Sequence, residues 1–564
     1  MTNSEKKNKK GSRSVNSGLI KLTVLLSMTF MVNFQCLATE YYFHPRFGND
    51  QNTGKSKDQA FKSLKKVASL DLKGGDKLLL AGGETFYETL DLTGKNGSVE
   101  NPIFIDSYDE QLSGEVTKSQ IDAKGLENGI LIKNSNYISV KNLKIAAAGF
   151  GDSSPIGTMR IGVLITVTKD LNTRGITLEK LEIEDVFYEN KGFQRGQEEV
   201  RSANGTQKYG WGIRLINATE SGMIEEVKIL DCSISNLSHT GIKLTGGSNQ
   251  GIRNITISRN TVSKTGGPGI QMSGVKFVYV SENEVTYSGS NDDSRKWGRG
   301  SGLWTWGSSM VLIEKNKFMY ANGPGDSAGA HIDFNCDNIV LQYNLSAHNA
   351  GGFCEILGNN YNCAYRYNIS INDGFREKGV SGAFQEGKVF WLSGYQGNQK
   401  ARKGPVNSYF YNNTIFVNEE HVSKIAIDNR SRGVLIANNI FHLMGGASLV
   451  EGDQYMPDDS ESRQVIDVIF ENNLFLKEAM WPSSAAILEN KSLVGNASFS
   501  NPGGLALEDY IPLNIELVQL GITIPFIPYD DFGLMEGLNL KKDILGNQIS
   551  GTPSIGAIQV KANQ

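Results

Sequence analysis

Two carboxylates stand at matching points of a near-repeat in residues 329–360, GAHIDFNCDNIVLQYNLSAHNAGGFCEILGNN: Asp333 in its first half and Glu355 in its second. They are 22 residues apart, and if that interval is one coil of a stacked structure, the carboxyls approach to about 5 Å. Two acids that close repel, so one proton is held more tightly than in water. A glycoside hydrolase would use one as general acid and the other as nucleophile, a retaining arrangement at that separation. A lyase would use them, with Asn335 and Asn359, to hold Ca²⁺ or a proton against a substrate uronate. An acidic ladder without chemistry is the third reading. For elimination, Arg214, Lys243 or a metal on Asp333 and Glu355 would neutralise the uronate, and His331, Lys243 or His239 would remove the C5 proton. His331, two residues before Asp333, is the first base to consider.

The elements that must position these groups are short strands. Apolar alternation followed by a polar pair ending in Asn recurs at ISVKNLKI (138–145), ITISRNTV (255–262), VYVSENEV (278–285), VLIEKNKF (311–318), IVLQYNLS (339–346), VLIANNIF (434–441) and VIFENNLF (468–475). The closest intervals, Asn260 to Asn283 and Asn344 to Asn368, are 23 and 24 residues. Alternation over a few residues signals a strand, and a unit of 20–30 residues signals a solenoid. Each unit is too short to bury its apolar face alone, so the units stack around one core. The expectation is a parallel β-helix whose recurrent Asn residues bond one another in a column.

A second recurring element, in WGIRLIN, TGIKLTG, PGIQMSG, SGLWTWG, AHIDFN, GFCEIL and VFWLSG, places one residue outward between two inward apolar ones. The outward series reads Arg214, Lys243, Gln271, Trp304, Asp333, Glu355 and Trp391. Trp304, Trp306 and Trp391 are expected to be exposed, as platforms for sugar rings beside charged groups.

The start of the chain after residue 38, YYFHPRFGNDQNTGKSKDQAFKSLKKV and then LKGGDKLLLAGGETFYETLDL, and its end, DILGNQISGTPSIGAIQV, resemble secreted right-handed parallel β-helix enzymes of the pectin-lyase-like superfamily, which act on polysaccharides. The resemblance implies an all-β fold, a single-stranded right-handed parallel β-helix with inserted loops. The segment GGFCEILGNNYNCAYRYNISINDG is similar to one of the chondroitinase B and alginate lyase family, which implies a metal or neutraliser position for Glu355. Where that family carries Asn-Lys, with Lys as base, this chain has Asn359 and Asn360, so an eliminating base would have moved.

Glycine is 63 of 564 residues, against an ordinary share of roughly 7%, which suits a turn-rich β architecture. A net charge of −4 gives no reason to expect nucleic acid as partner. Residues 1–38 combine a basic start, the apolar run LTVLLSMTFMVNF and small residues ending at Ala38, the pattern of a signal peptide. Export to the periplasm or outside is therefore expected, with lipid anchoring at Cys36 disfavoured and no transmembrane span in the mature chain. Cys232, Cys336, Cys354 and Cys363 match neither a disulfide framework nor a zinc signature. Residues 39–130 are expected to cap the helix and form its first coils, 131–500 to form its body and 501–564 to close it. Insertions at 190–212, 288–302 and 372–389 would wall the site, with Arg295, Arg299 and Arg376 as clamps for a carboxylate or sulfate. The sequence reads first as a monomeric β-eliminating enzyme on an acidic polysaccharide or oligosaccharide. A glycoside hydrolase using Asp333 and Glu355, and a non-catalytic glycan-binding β-helix, are the alternatives.

Overall fold

Strands of two to eight residues, bent apart by single left-handed residues, wind the chain into coils. The computed structural model describes residues 38–560 apart from 110–116, 150–158, 191–207, 291–298, 398, 429, 451–465 and 479–487. The expected signal peptide up to residue 37 and the candidate clamp Arg295 thus lie outside the described residues. Among the described residues the strands form three parallel sheets of 15, 12 and 14 strands. Each coil gives one strand to each sheet, as in Ile242–Thr245, Ile252–Ser258 and Thr261–Thr265. The architecture is the expected parallel β-helix. Its interior is a column of Ile, Val, Leu and Phe, among them Ile242, Ile270, Leu303 and Ile332, all fully buried.

Two devices hold successive coils in register. At the corner between the 15-stranded and 14-stranded sheets, a left-handed residue precedes an Asn, as in Arg259–Asn260, Tyr343–Asn344 and Tyr367–Asn368. The Asn then joins a buried ladder. Asn260, Asn283, Asn316, Asn344, Asn368, Asn413 and Asn439 each donate both backbone N–H and side-chain amide to the next Asn above, at 2.9–3.1 Å, ending on Asn473. The same amides bond a strand carbonyl, as Asn344 does with Ile313, so the column leaves few of its polar groups unpaired. At the entrance to the 12-stranded sheet a second column is made of glycine. A Cβ on Gly212, Gly241 or Gly269 would meet the carbonyl oxygen of the glycine above at 2.6–2.7 Å, so close backbone approach excludes any side chain there.

The segment after the last coil folds back along the helix. Tyr510, Val518 and Ile555 pack against Phe416, Ile440 and Leu474, and Ile524, Ile527 and Leu538 against Tyr409, Tyr411 and Leu435. Tyr409 donates to Asp530, Tyr411 to the Leu538 carbonyl at 2.8 Å, and Asn412 to the Ser554 carbonyl at 2.6 Å. Among the described residues Cys232, Cys336, Cys354 and Cys363 are free, buried thiols.

Candidate active site

The 12-stranded sheet carries the outward residues, and its register corrects the expected series. Arg214 pairs with Lys243, Lys243 with Gln271, Gln271 with Trp304, and Trp304 with His331. Ile332 pairs with Ile356, which sets His331 opposite Glu355, and Glu355 pairs with Trp391. His331 therefore holds the place expected for Asp333. Asp333 lies two residues further along, beyond the end of strand Ala330–Ile332, with its N–H on the Thr305 carbonyl at 2.9 Å. One coil and two residues separate Asp333 from Glu355, about 8 Å between Cα atoms rather than the 5 Å of direct neighbours. The inward residues fix this outcome: Ala330 and Ile332, like Cys354 and Ile356, fill the core and leave His331 and Glu355 facing out.

The exposure of the series also differs from expectation. Trp306 is 39% exposed and Trp304 partly so, as a sugar platform requires, but Trp391 is only 7% exposed and packs with Leu357 and Ala426. Arg376, expected to clamp substrate, is buried and spends its guanidinium on backbone: Nε donates to the Gln385 carbonyl at 2.8 Å, Nη1 to those of Gly323 and Asp326 at 3.0 and 2.9 Å. It holds together the insertion 372–389 and the turn before strand Ala330–Ile332.

That turn supplies a carboxylate the sequence reading missed. Asp326 lies seven residues before Asp333, in the Gly-Pro-Gly-Asp-Ser turn that feeds the strand. Its Oδ1 stands 3.5 Å from Nη1 of Arg299, and its N–H donates to Gln385 Oε1. Arg299, expected as a substrate clamp, instead faces Asp326 and lies over the Phe384 ring at 4.9 Å. The Asp326 charge acts on His331, Asp333, Glu355 and Arg376 alike. The available signal was one acid in an otherwise small-residue turn leading into the strand of Asp333.

The environments of these groups separate their charges. Burial, reinforced by the Asp326 charge and opposed by the Phe334 N–H and Arg299, pushes the Asp333 carboxyl up to about 8. Burial also raises Glu355 well above the carboxylate range, against the pull of Lys388 and with Asp326 and Asp333 adding to the rise. Burial brings His331 down to about 4. The His331 ring is neutral at ordinary pH, and its Nδ1 lies 3.0 Å from the Ser301 hydroxyl, which also accepts from Ala328 N–H. Asp326 is half-buried and faces the Arg299 guanidinium.

Ca²⁺ does not fit this arrangement. Among the described residues no group of three or more His, Cys, Asp and Glu is placed to hold a metal, whereas Ca²⁺ takes six to eight oxygens. Lys388, Arg299 and Arg376 already supply positive charge to the acids. Asn359, expected to join such a site, donates to Asn335 at 2.7 Å. His239 lies away from the acids, accepting from Trp211 Nε1 at 3.3 Å. Arg214 and Lys243 stand five and four coils below Glu355, about 24 and 19 Å along the stack.

Known proteins share this framework. A family model for the right-handed beta helix region matches residues 211–387. The lacto-N-biosidase of Bifidobacterium longum subsp. longum is 24% identical over 625 residues, covering 92% of this chain and 36% of that protein, so the chain spans about a third of the relative's length. The crystal structure of native GH136 lacto-N-biosidase from Eubacterium ramulus is 20% identical, with a TM-score of 0.52 over 81% of this chain and 68% of that one. Its selenomethionine derivative gives 0.54 over the same shares. These likenesses, to a glycoside hydrolase family, overturn the expectation of β-elimination. The chain carries a right-handed parallel β-helix fold.

Proposed function

We propose that this protein is an exported glycoside hydrolase acting on oligosaccharides, with Asp333 as general acid and Asp326 as its partner carboxylate. The observation that carries the reading is the contrast between the two: one carboxyl buried and held protonated, the other half-buried and facing Arg299, seven residues apart on either side of strand Ala330–Ile332. Glycoside hydrolysis requires that division of labour. Asp333 gives its proton to the glycosidic oxygen as the bond breaks. Asp326 then either attacks the anomeric carbon or takes a proton from the water that does. Glu355, protonated and on the same face, offers a hydrogen bond to a sugar hydroxyl beside the neutral His331 ring. The exposed indole of Trp306 gives a ring platform beside them. The relatives' name suggests lacto-N-biose-type linkages as the first substrates to try. Among the described residues no helix is long and apolar enough to cross a membrane, and the signal-like residues 1–38 support export.

The test is hydrolysis of lacto-N-tetraose and a panel of related oligosaccharides, followed by proton NMR. Turnover is expected, with the first anomer formed reporting whether Asp326 attacks sugar or activates water. Asp326→Asn and Asp333→Asn should each lower kcat by about a hundred- to ten-thousand-fold. Binding without any product across the panel, or near wild-type turnover in both variants, overturns the reading.

A further inference from the structure

The lower part of the same outward series holds two cations and, among the described residues, no anion paired with them. Arg214 is 4% exposed on strand Tyr209–Ile216, facing out between the inward Ile213 and Leu215. Its Nη1 donates to the carbonyls of Leu215 and Lys243 and to Thr245 Oγ1, at 3.0, 3.3 and 2.9 Å, while its buried Nε has no partner. Lys243 lies directly above it in register. Both cations lie against the Trp211 ring, Arg214 Cζ at 4.8 Å and Lys243 Nζ at 5.3 Å from its centroid. One coil higher, the buried Gln271 leaves its Oε1 without a hydrogen-bond partner. Among the described residues no carboxylate forms an ion pair with Arg214 or Lys243.

Such an arrangement is costly for the protein alone. Taking a charge out of water is unfavourable unless an opposite charge replaces the lost hydration, and here the nearest charge is of the same sign. Burial brings Arg214 down to about 9, and burial together with the Arg214 charge brings Lys243 down to about 7. The indole face compensates in part, since cation–π attraction strengthens where water is excluded. An anion on the same face would satisfy the free Nε, the ammonium and the charge imbalance at once. Lys243 is three coils below His331, about 14 Å, a span of a few sugar rings.

We propose that Arg214 and Lys243 form a distal subsite for an anionic substituent, a carboxylate or a sulfate, on an oligosaccharide lying along the sheet with its scissile bond at Asp326 and Asp333. The proposal rests on the hydrolase reading for the position of the scissile bond, but the subsite's anion preference is measured separately. On this assignment the two cations are specificity groups rather than the neutraliser and base of an elimination. Two other buried guanidiniums bond elsewhere: Arg366 to Gln342 and Tyr411, and Arg160 to the carbonyls of Gly149 and Met159.

The experiment is calorimetric binding to the full chain carrying Asp333→Asn, which prevents turnover during the titration. Three tetrasaccharides of one backbone serve as probes: neutral, capped by a sialic acid, and carrying a sulfate ester at the same end. The expected result is at least tenfold tighter binding of one or both acidic probes than of the neutral one, and the stronger of the two identifies the anion. Lys243→Gln should remove that preference and leave neutral binding unchanged, while Lys243→Arg should keep it. Melting separates this from a structural role: a lysine that serves an anion and not the fold can be replaced by Gln without lowering Tm. Equal binding of all three probes, or a preference that survives both Lys243→Gln and Arg214→Gln, overturns the subsite. Neutral oligosaccharide cleaved by wild type without any acidic preference defeats the subsite alone; acidic preference without cleavage of any probe defeats the hydrolase reading alone.

Discussion

At the scale of single residues, the proposed chemistry depends on holding a proton where an isolated aspartate would release it. Asp333 is pushed from an ordinary 3.8 to about 8, chiefly by burial. The general acid is therefore charged for the most part only above that value, and hydrolysis should fall as pH rises through about 8. The same shift bears on stability. Between about 4 and 8 the folded chain binds a proton at Asp333 that the unfolded chain has released, so this contribution is fully present below the unfolded value and is lost as pH rises. Asp333→Asn should accordingly raise Tm at pH 7.5 by about 1–3 °C and leave it unchanged at pH 3.5, while abolishing turnover. Scanning calorimetry at the two pH values measures this directly. A lower Tm at pH 7.5 would mean that the carboxylate is stabilised in place and cannot be the acid.

At the scale of elements, the site is a strand and the turn that feeds it, fastened by the insertion 372–389. Arg376 bonds the carbonyls of Gly323 and Asp326 on one side and Gln385 on the other, and Phe384 N–H donates to the Pro324 carbonyl at 2.9 Å. Arg376→Met should release the turn that aims Asp326, and a displacement near 1 Å is enough to cost about a hundredfold in rate. The expected signature in steady-state kinetics is a fall in kcat with KM little changed. A rise in KM at constant kcat would restore Arg376 to the substrate-clamp role its sequence position suggests.

At the scale of the molecule, the repeating coils have two different outer faces to cover. The 12-stranded sheet carries the proposed site on its outward face, whereas Tyr409, Tyr411 and Leu435 of the 15-stranded sheet are covered by the returning segment. Removing residues 522–564 would bare that strip together with the hydroxyls of Tyr409 and Tyr411 and the amide of Asn412 that the segment now bonds. Large apolar patches drive association. The truncated chain should therefore give little soluble protein and scatter light on purification, even though every proposed catalytic residue is retained. A soluble, active truncation would show that the coils alone suffice.

The strand repeats, the Asn ladder and the alternation of inward and outward residues were legible because each depends on local periodicity, which a linear sequence records completely. Arg214, Lys243, Gln271, Trp304, Glu355 and Trp391 could likewise be assigned to one stripe from the apolar residues flanking them. The register at Asp333 was misjudged by matching carboxylate to carboxylate instead of core residue to core residue, although Ala330, Ile332, Cys354 and Ile356 already held the answer. Other features depended on contacts between segments far apart in the chain. The burial of Trp391, the diversion of Arg376 to backbone carbonyls and the entry of Asp326 through a turn outside the repeat follow from how an irregular insertion packs on a neighbouring coil. Local periodicity thus determined the fold and the face, while the charge states of the acids were decided by the tertiary structure, because burial and the nearness of Arg299 and Lys388 exist only once the coils are stacked.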